Sequence, residues 1–180
     1  WQDPVLWKNV VQNISATLQV LDPDNAGQYA SLESTYLAEL DELHTTIVSR
    51  VSDLEDSQKF LVTQHDSLAY WCKQYGFEKF SLEGISTTDQ AGIHEIEELT
   101  EHLQENKVGV LFGESTVPTD QMQAVIDAAK DIGWTVKLGG VLYTGSLGDS
   151  GTNSSTYLGM MAFNAETIVS GILEGGTDNQ

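Results

Sequence analysis

Basic residues are scarce in this chain: 8 Lys and Arg stand against 27 Asp and Glu, for a formal net charge of −19. A surface so poor in cations repels phosphate backbones, which excludes nucleic-acid binding through a basic patch. It repels anionic membrane surfaces for the same reason. Cysteine is nearly absent, and Cys72 alone can form no internal disulfide, so cysteine usage assigns no redox compartment. No apolar run approaches the roughly 18 residues needed to span a bilayer, which excludes direct membrane insertion by a helix. The chain opens at Trp1-Gln2-Asp3-Pro4 with neither Met nor a signal-peptide pattern, and is read as a mature fragment or a truncated chain. Two catalytic signatures are also missing: the G-x-S-x-G nucleophile elbow and the lysine of a phosphate-cradling glycine loop.

What is present is a globular core and an appetite for cations. Of the 180 residues 40% are apolar or aromatic, including 4 Trp, 6 Tyr and 5 Phe, which suits one domain or one and a fraction. The acidic balance attracts metal ions and basic partners and favours solubility.

Asp3-Pro4 reads as an N-cap followed by proline at the first helical position. Trp7, Val10, Ile14, Leu18 and Leu21 then recur at helical spacing, predicting a buried stripe on a first helix. Tyr29, Leu32, Tyr36, Leu40, Leu43, Ile47, Val51 and Leu54 follow at intervals of 3, 4, 4, 3, 4, 4, 3. That pattern has a period of about 3.67 residues per turn, close to a straight helix and unlike a heptad zipper. A helix over residues 25–56 would run about 45–50 Å. It would either cover a sheet or form a spine between two lobes.

Strands are expected at 59–63, 80–82, 108–112 and 134–138, alternating with helices over 67–75, 93–106, 119–132 and 156–173. A glycine-rich loop is expected over 139–153. Such alternation predicts an α/β fold: a four-stranded, mainly parallel sheet with flanking helices, plus the long helix.

Ligands of open parallel sheets bind beyond the carboxyl ends of the strands. The four strands deliver Gln64-His65-Asp66, Glu83-Gly84, Gly113-Glu114-Ser115 and Tyr143-Thr144-Gly145-Ser146. A rim with one histidine and several carboxylates suits a divalent metal. Imidazole favours zinc, and carboxylates shift preference toward manganese. His65 can be a ligand or a structural histidine, and Glu114 a cleft group or a capping carboxylate. His94, Glu98 and His102 share one helix face, which can chelate but reads better as a solvated face opposite Ile96, Leu99 and Leu103. His44 reads as a surface residue, Cys72 as a buried inert thiol, Met160-Met161 as packing, and Asn164 as a side chain that ties down a loop.

Several segments resemble, in order, the zinc- and manganese-binding solute-binding proteins of bacterial ABC importers (the cluster A-I family). Trp1-Gln2-Asp3-Pro4 is similar to the end of its D-P-H-x-W-x-D-P segment, and residues 62–70, VTQHDSLAY, to V-T-x-H-D-A-F-x-Y. Phe112-Gly113-Glu114 resembles F-x-E, residues 142–147, LYTGSL, its Y-x-D-x-L loop, and residues 156–164, TYLGMMAFN, its T-Y-x-x-M-M-x-x-N helix.

The resemblance implies two α/β lobes joined by a rigid helix, with metal held in the cleft between them. Residues 1–22 would be the last helix of an N-terminal lobe, 23–57 the inter-lobe helix, and 58–180 the C-terminal metal-binding lobe. It implies that the first lobe, with a histidine ligand two positions before Trp1, lies upstream. His65 would be a metal ligand, with Asp66 and Glu114 supporting it. Gly145 stands where the family carries an Asp ligand, so water, Asp149 or Glu114 would complete the shell. The implied function is extracytoplasmic capture of zinc, or alternatively manganese, in the periplasm or on a membrane-anchored protein, for an ABC permease, with no enzymatic step. The competing readings are a metal-dependent hydrolase using Glu114 as base, and a surface adhesin.

Overall fold

The computed structural model describes residues 1–82 and 92–175. Glu83 and Gly84, expected past the second strand, lie outside the described residues. Four parallel strands, β1 (Phe60–Thr63), β2 (Glu78–Ser81), β3 (Val110–Glu114) and β4 (Lys137–Leu142), form one sheet in the order β2-β1-β3-β4. The helices are α1 (Pro4–Leu21), α2 (Ala26–Val51), α3 (Ala69–Tyr75), α4 (Ile93–Glu105), α5 (Asp120–Asp131) and α6 (Tyr157–Gly175). The α/β class and the four strands agree with the expectation. No described helix is long and apolar enough to cross a membrane.

Strand residues alternate between two cores, as the period of two requires. Leu61, Val110 and Phe112 face a core built with α2, α3 and α6. Val62 and Leu111 face a second core with α4 and α5, where Leu103, Met122 and Val125 are buried. Met160 and Met161 pack in the first core, as expected.

The fourth strand differs from its expected span. It starts later and runs through Gly139-Gly140, which the glycine pair had marked as loop. Register jumps there: Leu111 opposes Leu138, but Phe112 opposes Gly140, so Gly139 is bulged out. A Cβ on Gly139 would fall 2.4 Å from Val110 Cγ2 and 2.8 Å from Phe112 Cε1. Gly139 thus lets the strand lie against the Phe112 ring, while a Cβ on Gly140 would fall 2.5 Å from Thr167 Cγ2. The third strand also runs later than expected, so Glu114 is a strand residue paired with Leu142.

Helix α1 starts as predicted, with Asp3 Oδ1 accepting from the Val5 and Leu6 amides at 2.8 and 3.1 Å. Its stripe is not buried: Val10, Ile14 and Leu21 are 39%, 54% and 75% exposed. The helix packs antiparallel on α2, and the rest of its apolar face looks outward. Helix α2 has 26 residues, about 39 Å, shorter than expected. At its start, Pro23–Asn25 form a separate 3₁₀ turn. At its end, the Ser52 hydroxyl turns back to the Ser49 carbonyl, and the Asp53 and Leu54 amides bond three residues back. Its stripe divides: Leu40, Leu43, Ile47 and Val51 are buried in the first core, whereas Leu32 is 59% exposed.

The only arginine, Arg50, clamps α2 to α6. Its Nε and Nη2 donate to the two Glu166 carboxylate oxygens at 2.7 and 3.0 Å, and Nη1 pairs with Asp53. The guanidinium holds the Glu166 carboxyl at about 2.

Candidate metal centre

In the order β2-β1-β3-β4 the chain leaves β1 toward one side and later returns to β3 on the other. Beyond the carboxyl ends of such neighbours the crossovers diverge and leave a crevice. His65 follows β1, Glu114 ends β3, and Thr144-Gly145 follow β4. These residues, with Asp66 and Trp1, line one open cleft of about 360 Å³. The sequence-predicted residues His65, Asp66, Glu114 and Gly145 are therefore together.

His65 is only 5% exposed, and both its backbone groups are held. Its N–H donates to Glu114 Oε1 at 2.7 Å, and its carbonyl accepts from Thr63 Oγ1 at 2.7 Å. Glu114, 2% exposed, also accepts at Oε2 from Ser67 Oγ at 2.9 Å and Thr144 Oγ1 at 2.6 Å. Three donors compensate the cost of burying this carboxylate. Its oxygens hold the turn that carries His65, which makes Glu114 a support for the imidazole.

Asp66 is half-buried at the rim, and its carboxylate pairs with Lys79 on β2. Gly145 is exposed, and a Cβ there would meet Thr116 Cγ2 at 3.2 Å. Asp149 is exposed and lies outside the residues lining the cleft. Among the described residues no three His, Cys, Asp or Glu side chains form a group able to hold a metal ion. Among the residues that line the cleft, His65 is the one imidazole.

Other singled-out residues lie elsewhere. Asn164, fully buried, accepts from the Tyr143 amide at 2.9 Å and donates to the Tyr143 carbonyl at 2.8 Å, so it does tie down the loop after β4. Burial pushes the Cys72 thiol up to about 12, consistent with an inert core residue. His94 is exposed beside Glu98, as a solvated face predicts, but His102 is half-buried in an edge-to-face contact with Phe80, ring centroids 3.9 Å apart. His44 is also half-buried rather than superficial, with Nδ1 3.2 Å from the Tyr75 hydroxyl.

Sequence reasoning missed the roles of Ser67, read only as the start of a helix, and Thr144, read only as part of the loop after the fourth strand.

The family described as "Zinc-uptake complex component A periplasmic" (ZnuA) matches residues 1–171. The zinc-binding protein TroA of Treponema pallidum is 33% identical over 172 residues, 96% of this chain and 56% of the relative. The manganese-binding lipoprotein MntA of Bacillus subtilis is 33% identical over 168 residues, 93% of this chain and 55% of the relative. The solved structure of the periplasmic zinc-binding protein TroA from Treponema pallidum superposes with a TM-score of 0.91 at 32% identity, covering 96% of this chain and 62% of that one. The chain thus spans about half the length of the curated relatives it matches.

Proposed function

The chain belongs to the family of periplasmic A components of zinc-uptake complexes, and from that premise we propose that it is the metal-holding part of an extracytoplasmic receptor for a divalent transition metal. The receptor would release its cargo to an ABC permease, either from the periplasm or from a lipid-anchored position at the cell surface. In this reading residues 58–180 are the C-terminal lobe, 23–57 the inter-lobe helix, and 1–22 the last helix of a preceding lobe. His65 is a metal ligand, Glu114 fixes it, and Asp66 sits beside it with its charge balanced by Lys79.

The observation that carries this reading is His65 itself: a buried imidazole in the cleft at the β1/β3 divergence, with its backbone pinned on both sides. The hydrolase and adhesin readings draw no support from the comparisons. Zinc is favoured over manganese because the donor present is imidazole and Gly145 supplies no carboxylate. The relatives named above are described as binding zinc in one case and manganese in the other.

The test is zinc titration calorimetry on the complete receptor carrying this chain. His65→Ala weakens zinc by at least about 10-fold, since even support residues of metal sites cost that much. An unchanged isotherm would sink the assignment of His65.

A further inference from the structure

The last rung of the sheet at the cleft edge is the bond from the Ser115 amide to the Leu142 carbonyl. Beyond it, residues 143 and 144 are held by side chains reaching in from elsewhere. Asn164 on α6 brackets the Tyr143 amide and carbonyl. From the opposite side come the two residues that precede the α1 cap. Trp1 Nε1 donates to the Thr144 carbonyl at 2.9 Å, and Gln2 Nε2 donates to the same carbonyl at 3.1 Å and to that of Tyr143 at 3.3 Å. Gln2 is 2% exposed and Thr144 likewise 2%, so the bond from Gln2 to the Thr144 carbonyl is shielded from water. Held by its backbone, Thr144 aims Oγ1 at Glu114 Oε2, 2.6 Å away, and Glu114 Oε1 holds the His65 amide.

We propose that Thr144 and Gln2 are positioning residues for His65, and that this chain of bonds couples the start of α1 to the turn that presents the imidazole. The proposal rests on the reading of His65 as a metal ligand. The geometry explains why a threonine hydroxyl is buried at the cleft floor. Thr144 Oγ1 and Ser67 Oγ share one carboxylate oxygen, so losing either lets the carboxylate rotate and releases its other oxygen from the His65 amide. Ser67 lies on the same turn as His65 and moves with it. Thr144 lies on a different loop, so its hydroxyl ties the His65 turn to the segment after β4 and, through Gln2, to α1.

The experiment uses the complete receptor carrying this chain, with Thr144→Val, Thr144→Ser and Gln2→Met. Two readouts are followed: amide hydrogen exchange at His65, and the zinc concentration that half-shifts the His65 ring resonances. Thr144→Val is expected to speed His65 exchange about 10-fold while leaving Leu111 in β3 protected, and to raise the zinc half-point about 10-fold. Thr144→Ser, which restores the hydroxyl, returns both close to wild type. Gln2→Met moves both in the same direction by less.

The proposal is overturned if Thr144→Val moves neither readout, or if serine is as damaging as valine. Should Thr144→Val unfold the chain and expose Leu111 as well, Gln2→Met decides, and an unmoved His65 in that variant rejects the coupling. If the wild-type ring resonances ignore zinc, the reading of His65 as a ligand fails, while the exchange data still settle whether Thr144 and Gln2 position it.

Discussion

Replacing Glu114 by glutamine is nearly isosteric, yet it asks an amide to sit where a carboxylate receives three donors. The carbonyl of Gln can keep the His65 amide at the Oε1 position, but that bond changes from charge-assisted to neutral. A hydrogen bond to a charged group contributes about 1.5–3 kcal/mol and a neutral one about 1 kcal/mol, so this exchange costs about 1 kcal/mol. The amide nitrogen then faces Ser67 Oγ and Thr144 Oγ1, both now donors. Each hydroxyl must turn to accept, and Thr144, only 2% exposed, is left with a hydrogen out of reach of water. An unsatisfied buried donor costs about 1–3 kcal/mol. Removing a buried charge recovers part of this, leaving a net loss of about 1–3 kcal/mol. With a urea slope of about 2 kcal/mol/M for a domain of this size, the midpoint falls by about 0.5–1.5 M at unchanged slope. Glu114→Ala falls further, because the His65 amide also loses its acceptor. The His65 amide proton moves upfield in both variants as its short bond weakens. A Glu114→Gln protein as stable as wild type, with an unmoved His65 amide, would refute the account of the carboxylate as the acceptor that organises the cleft.

The Arg50 clamp gives a pH dependence. Its pairing with Glu166 depresses that carboxyl from the ordinary 4.5 to about 2, so its stabilisation is complete above 4.5 and lost as pH falls from there through 2. Arg50→Gln should flatten the decline of thermal midpoint in that window and leave the curve's shape above it unchanged; a parallel curve would show that the pair contributes nothing. At the cleft, Gly145→Asp needs Thr116 to yield by a few tenths of an ångström, since Cβ would sit 3.2 Å from its methyl. In the complete receptor the added carboxylate should shift metal preference toward manganese, and competition binding with an unchanged zinc-to-manganese ratio would contradict the role given to this position.

Much of the element order was legible because hydrophobic period carries it. Strand ends were found within a few residues, and searching past them brought up His65 and Glu114. Three things had no local signature. Strand order, which creates the crevice between β1 and β3, depends on how crossovers pack. The passage of β4 through Gly139-Gly140 depends on the Phe112 ring lying across the sheet, so residues that read as loop are a packing requirement. Thr144 acquires its role only from Glu114, 30 residues away, and from Trp1 and Gln2, more than 140 away. The exposed stripe on α1 marks a related limit: amphipathic spacing records that a face is apolar, not which chain covers it.

The α1–α2 hairpin behaves mechanically as a bracket. One arm is rooted in the first core from Tyr36 to Val51 and pinned at its base by Arg50; the other is rooted through Trp1 and Gln2 beside the cleft. From Tyr36, the outermost residue of that arm packed on the core, to Ala26 is about 15 Å, so a rotation of about 4° at the root displaces the tip by about 1 Å. Two parallel arms resist bending within their common plane more than across it. Load applied at the tip across that plane therefore reaches the sheet as a twist, delivered at one root into the core and at the other into the loop beside His65.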